Sequence, residues 1–194
     1  MKTNKFGKLT IVTGPMYSGK TEKILQLINK AEYRGKTVLA VKYKLDNRYS
    51  DTKIVSHFGR DLKAEPASTI EEINKLVQEQ TPKVIAIDEA QFIKGIKQAV
   101  RHWVSSGLDV FLSTLDLDCW EEPWQEINDL LCYADKIYKL TAVCPTCKKN
   151  ATRTQLLVDP SVFKDGSNVL IGGNDLYEPR CKNHFTPAKP LNLT

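Results

Sequence analysis

Apolar positions along this chain recur in two rhythms. Residues 8–13, KLTIVT, form a short β-prone run that ends at Gly14. Beyond a glycine-bearing loop, Ile24, Leu25, Leu27, Ile28 and Ala31 fall at helical spacing, and Gly35 stands where that helix should stop. TVLAVKY (37–43) reads as a second strand, and the polar, turn-rich stretch 44–61 as a loop with one short strand at most. Ser68, with Glu71 three positions on, has the pattern of a capping box opening a helix through TIEEINKLVQ. KVIAID (83–88) is apolar until its terminal acid, as expected of a strand covered on both faces. GIKQAVRHWVSS predicts a third helix stopped by Gly107, and DVFLSTLD (109–116) a further strand. EINDLLCYA and then KIYKL (136–140) repeat the helix–strand order. Strands and helices alternating at this spacing imply βαβ units on a parallel sheet.

The rhythm ends near residue 141, where cysteines, Gly-Gly, Asp-Gly and prolines appear, so the chain divides into 1–140 and a small unit over 141–194. No apolar run reaches the roughly 18 residues that a membrane span requires. The segment MKTNKFGKLT carries basic residues without an apolar core or cleavage site, so no export signal and a cytoplasmic location are expected. Net charge is +5. That excess suits a phosphate-rich substrate, but no basic stripe with interleaved aromatics marks nucleic acid as a partner. Five cysteines in such a chain point to metal binding rather than disulfides.

The loop GPMYSGKT (Gly14, Pro15, Met16, Tyr17, Ser18, Gly19, Lys20, Thr21) matches G-x-x-x-x-G-K-[ST] between a predicted strand and a predicted helix. Its glycines let backbone N–H groups turn toward an anion, and the helix adds its N-terminal dipole. Lys20 can reach β- and γ-phosphates, and the Thr21 hydroxyl can ligate Mg²⁺. Asp88, closing an apolar strand, fits the acid that holds that metal through water. Glu89 beside it can take a proton from an attacking hydroxyl or from water, so these residues leave kinase and NTPase open. Cys144-Pro-Thr-Cys147 and Cys181-Lys-Asn-His184 supply three thiolates and an imidazole, the closed set of a structural zinc site. Such a site would clamp the ends of 148–180, where Gly172 and Gly173 permit close backbone approach and Tyr177 offers an aromatic face.

Taken together, GPMYSGKT, KYKLDNRYS, SHFG, DEAQF, LDLD, EEPW, KLTAVCPTC, RTQ, IGGNDLYE and CKNH resemble, in order and spacing, the type II thymidine kinase family of the bacterial kind. The resemblance implies an α/β fold, a RecA-like P-loop parallel sheet flanked by helices, with a small C-terminal zinc-binding domain carrying a lasso loop. It implies transfer of the γ-phosphoryl of ATP, with Mg²⁺, to the 5′-hydroxyl of thymidine or deoxyuridine. It also implies a cytoplasmic homotetramer in nucleoside salvage, inhibited by thymidine triphosphate. Glu89 falls on the family's general base, with Asp88 and Gln91 in the same motif and Phe92 at the substrate. Asp46 and Arg48 fall on residues that assist the metal and the phosphates. Met16, Thr154, the backbone of Asn168, Val169, Leu170, Ile171 and Gly172, and Tyr177 fall where the nucleoside is held.

The resemblance breaks at 119–125. Cys119 stands where the family usually has a nucleoside-contacting phenylalanine. Trp120, Glu121, Trp124 and Gln125 replace Arg or Gln, Gly or Arg, Phe, and Gly. Trp120 or Trp124 is placed to swing in and fill the space. A P-loop ATPase that binds nucleic acid through its zinc knuckle, and a catalytically silent nucleotide-binding protein, are the competing readings. Elsewhere, Trp103 is expected in the core or a subunit interface, Cys132 in the core, and His57 and His102 on the surface.

Overall fold

Every residue of β1 (Leu9–Thr13) and of β6 (Val84–Asp88) is buried, as continuous apolar strands must be when helices cover both faces of a sheet. The computed structural model describes residues 6–44, 53–55, 61–159, 172–173 and 175–188. Among these, β1, β2 (Val38–Tyr43), β5 (Glu65–Ala67), β6, β7 (Asp109–Thr114) and β8 (Lys136–Lys139) form one sheet in the order β5-β2-β6-β7-β1-β8. All its neighbours run parallel. One strand, β7, therefore lies between the strand feeding the glycine loop and the strand ending on Asp88, the RecA-like arrangement.

Period-2 alternation sorts the strand side chains between two cores. Leu39, Val41, Ile85 and Ile87 face α2 (Ile70–Gln80), α3 (Ile96–Ser105) and α4 (Gln125–Leu131), meeting Ile73, Val100, Trp103 and Leu130. Ala40 and Ala86 face the other way, toward Ile24, Leu25 and Ile28 of α1 (Lys20–Tyr33). Trp103 is a core residue, and its indole N–H donates to Asn74 Oδ1 at 2.9 Å, tying α3 to α2. Among the described residues, no helix is long and apolar enough to cross a membrane.

Three expectations need correction. The capping box of α2 is one residue later than expected. Thr69 is the N-cap, its hydroxyl accepting from Glu72 N–H at 3.3 Å, and Glu72 returns to the N–H groups of Thr69 and Ser68. Starting at Ile70 puts Ile73 fully into the core. The stretch from 44 to 61 contributes to two strands, β3 (Lys53–Val55) and β4 (Asp61–Lys63), paired antiparallel, and the short edge strand β5 follows. Cys132 is exposed. It is the C-cap of α4, two positions beyond the buried Leu130, and at about 100° per residue that turns it away from the core. His102 is exposed as expected.

Among the described residues beyond 141, two small antiparallel pairs form, β9 (Ala142–Val143) with β10 (Asn150–Ala151), and β11 (Arg153–Leu156) with β12 (Tyr177–Arg180).

Candidate active site

The glycine loop leaves the C-terminal end of β1, where open parallel sheets bind ligands. A Cβ on Gly14 (φ 145°) would lie 2.4 Å from Leu140 O, so only glycine fits there. Gly19 (φ 82°) is the N-cap of α1 and supplies no side-chain cap, so the first N–H groups of the helix stay open to an anion. The buried Lys20 ammonium donates to Pro15 O at 2.8 Å, and Ser18 Oγ donates to the same oxygen. These bonds shape the loop and hold the cation over it.

Thr21 Oγ1 donates to Asp88 Oδ2 at 3.3 Å. A hydroxyl and a carboxylate so placed could supply oxygen ligands to a divalent cation such as Mg²⁺. Lys42 of β2 lies in register with Asp88 and is equally buried. Sequence reasoning passed over it, although a lone lysine inside VLAVKY was the available signal.

Glu89 leaves the strand in a left-handed conformation (φ 55°, ψ 42°) and begins the 3₁₀ turn Ala90–Phe92. Its N–H donates to Asp88 Oδ1 at 3.2 Å. Gln91 fixes its carboxylate, donating from Nε2 to Glu89 Oε2 at 2.6 Å while Gln91 Oε1 accepts from Leu115 N–H. Non-glycine residues held at positive φ cost about 1–3 kcal/mol and concentrate at functional sites. Phe92 stands between Tyr43 (ring centroids 5.2 Å apart) and Trp124 (5.6 Å, edge-on).

A second wall is apolar. Cys119, Trp120, Leu156 and Tyr177 bury one another, with Met16 packed against them. Trp120 packs beside Cys119 in this cluster, whereas Trp124 packs edge-on against Phe92. Burial, followed by the nearby Asp118 charge, pushes the Cys119 thiol up to about 11. The buried Thr154 hydroxyl accepts from Met16 N–H at 3.0 Å, joining β11 to the phosphate loop.

The four predicted metal ligands converge. The ligand atoms of Cys144, Cys147, Cys181 and His184 all lie within 4.8 Å of one another, and none of the cysteines forms a disulfide. Cys147 Sγ is 3.6 Å from Cys181 Sγ, and His184 Nδ1 is 3.2 Å from Cys181 Sγ and 3.8 Å from Cys144 Sγ. A tetrahedral ion with metal–sulfur bonds of about 2.3 Å needs edges of roughly 3.8 Å, so the set fits zinc. The hairpin β9–β10 carries the first pair and the end of β12 the second, and Arg180 ties them by donating to Thr146 Oγ1 at 2.6 Å.

Of the other predicted residues, Asp46, Arg48, His57 and Asn168 to Ile171 lie outside the described residues. Gly172 precedes the turn at Gly173, whose carbonyl accepts from the N–H groups of Leu176 and Tyr177.

A glycine loop opening a helix, with a hydroxyl–carboxylate pair formed across a RecA-like sheet, is the arrangement of the P-loop class of proteins. The family model described as thymidine kinase matches residues 7–185. The chain belongs to the thymidine kinase family, and it is a kinase.

Proposed function

We propose that the protein transfers the γ-phosphoryl group of ATP to the 5′-hydroxyl of thymidine or deoxyuridine, giving the 5′-monophosphate and ADP. The observation that carries this reading is the Thr21–Asp88 pair beside the Gln91-held Glu89. Gly14 to Thr21, with Asp88 and Gln91, bind ATP. Thr21 and Asp88, with Asp46, would hold its Mg²⁺, which would supply neutralisation of phosphate charge. Arg48 assists there.

The acceptor nucleoside lies against Met16, Phe92, Cys119, Thr154 and Tyr177, with the backbone of Asn168 to Gly172 on the base. Glu89 accepts the 5′-hydroxyl proton, the oxygen bonds to the γ-phosphorus, and the bond from that phosphorus to the β,γ-bridging oxygen breaks to release ADP. Lys20 and the N-terminal amides of α1 stabilise the charge that develops. Zinc would be held by Cys144, Cys147, Cys181 and His184, a closed structural set that would clamp the two ends of 148–180. A cytoplasmic homotetramer serving nucleoside salvage, and feedback by thymidine triphosphate at this site, complete the reading.

The test is ADP formation from ATP and Mg²⁺ with thymidine, deoxyuridine, deoxycytidine, deoxyguanosine or no nucleoside. Turnover with thymidine and deoxyuridine alone is expected. Turnover only with another nucleoside would show that the 119–125 segment has moved the specificity. Hydrolysis without any nucleoside, or silence throughout, would overturn the reading.

A further inference from the structure

We infer that Glu121 and Arg153 form a clasp that positions the Cys119–Trp120 wall against the acceptor nucleoside, which makes Glu121 a positioning residue for that substrate. The inference rests on the nucleoside-kinase reading above.

Residues 117–123 form a tight hairpin. Leu117 and Pro123 bridge as an antiparallel pair, and Asp118 N–H donates to Glu122 O at 2.9 Å. Asp118 Oδ1 closes the turn by accepting from the N–H groups of Trp120 (2.8 Å) and Glu122 (2.9 Å). Glu121 sits at the tip with φ 68°, a conformation glycine adopts freely and glutamate adopts at a cost. The turn itself has no need of a glutamate.

What the glutamate adds is a long-range bond. Arg153 Nε–H donates to Glu121 Oε1 at 2.5 Å, with both side chains mostly buried (15% and 26% exposed). The guanidinium is held in turn by Thr152, whose carbonyl and hydroxyl oxygens both accept from it at 3.1 Å. Arg153 opens β11, its neighbour Thr154 holds Met16 of the phosphate loop, and Leu156 packs on Cys119 and Trp120. The clasp therefore fixes the hairpin that carries one side of the pocket to the strand that carries the other. An exposed ion pair with only a surface role contributes little and would leave substrate binding unchanged.

Two variants test this. Arg153→Gln leaves the sequence of 117–124 intact, so hydrogen–deuterium exchange of that peptide reads the clasp directly; exchange about ten-fold faster is expected at the Asp118-bound amides. Glu121→Gly relieves the backbone, so its melting temperature should hold or rise. Its KM for thymidine should nevertheless rise about ten-fold, because a displaced substrate wall costs binding, while KM for ATP and kcat stay within about two-fold. The exchanged pair, Glu121→Arg with Arg153→Glu, should recover much of the loss. Unchanged thymidine KM in the folded Glu121→Gly protein overturns the inference. If the unaltered protein does not phosphorylate thymidine, it is the functional reading that fails. Exchange at 117–124 then decides the clasp, with unchanged exchange in Arg153→Gln overturning it.

Discussion

Thr21 and Asp88 meet across a strand that belongs to neither of them. The hydroxyl at the start of α1 donates to the carboxylate at the end of β6 over 3.3 Å, although β7 separates β6 from β1 in the sheet. Asp88→Asn keeps the shape and removes the charge that a metal would feel. Affinity for ATP in the presence of Mg²⁺ should fall about 10–100-fold, with little change in its absence, as read by calorimetric titration.

Glu89, the base of the proposed mechanism, sits on a strained backbone. Glu89→Gln should lower thymidine turnover by about 10²–10⁴-fold while leaving nucleotide binding intact. Glu89→Gly should be equally inactive yet melt at a higher temperature, since glycine relieves the positive φ. Retained turnover in Glu89→Gln would remove this residue as the base.

Thr154→Val deletes the acceptor for Met16 N–H without changing shape. A loss of about 1–2 kcal/mol in stability is expected, with a rise in KM for thymidine. Thr154→Ser should restore both, as read by thermal melting and steady-state kinetics.

Stripping metal from the Cys144, Cys147, Cys181 and His184 set should lower the melting temperature, because a metal bound only by the folded state stabilises it by mass action. Elemental analysis should find about one zinc per chain. A protein that melts identically after chelation would exclude the structural role.

The two isolated thiols should differ in reactivity. Cys132 is exposed and Cys119 is buried with its thiol raised, so alkylation near neutral pH should label Cys132 first. A raised pKa means that the folded protein holds the Cys119 proton more tightly than the unfolded chain. The stability this contributes is complete below pH 9 and is lost as pH climbs from 9 toward 11. Comparison of melting between pH 8 and 11 should show a shallower alkaline decline in Cys119→Ala than in the unaltered protein.

The parallel sheet was legible because β1, β6 and β7 are largely apolar runs closed by Gly14, Asp88 and Asp116, and local patterning records that burial well. The four metal ligands were legible because paired ligands at fixed spacing leave few alternatives. Strand order was legible only through the family resemblance, since the insertion of β7 between β1 and β6 depends on packing among distant segments that local patterning does not record. The edge strand β5 (Glu65–Ala67) carries too few apolar residues to announce itself. The role of Glu121 was hidden for a related reason. Its partner Arg153 lies 32 residues away, and only the folded hairpin brings them together.

The sheet order also sets a timetable for synthesis. Both hydrogen-bonded neighbours of β1 are β7 and β8, with Leu9 opposite Val110 and Thr10 opposite Lys136. As the chain emerges from the ribosome, LTIVT has no strand of this sheet to pair with until β7 has been made. The phosphate loop cannot be fixed before then, while β2 and β6 can already associate. A nascent chain stalled before residue 109 would expose an apolar strand whose place is between β7 and β8, and chaperones and aggregation would compete for it. The final shape of the glycine loop thus waits on β7 and β8, strands translated well after it.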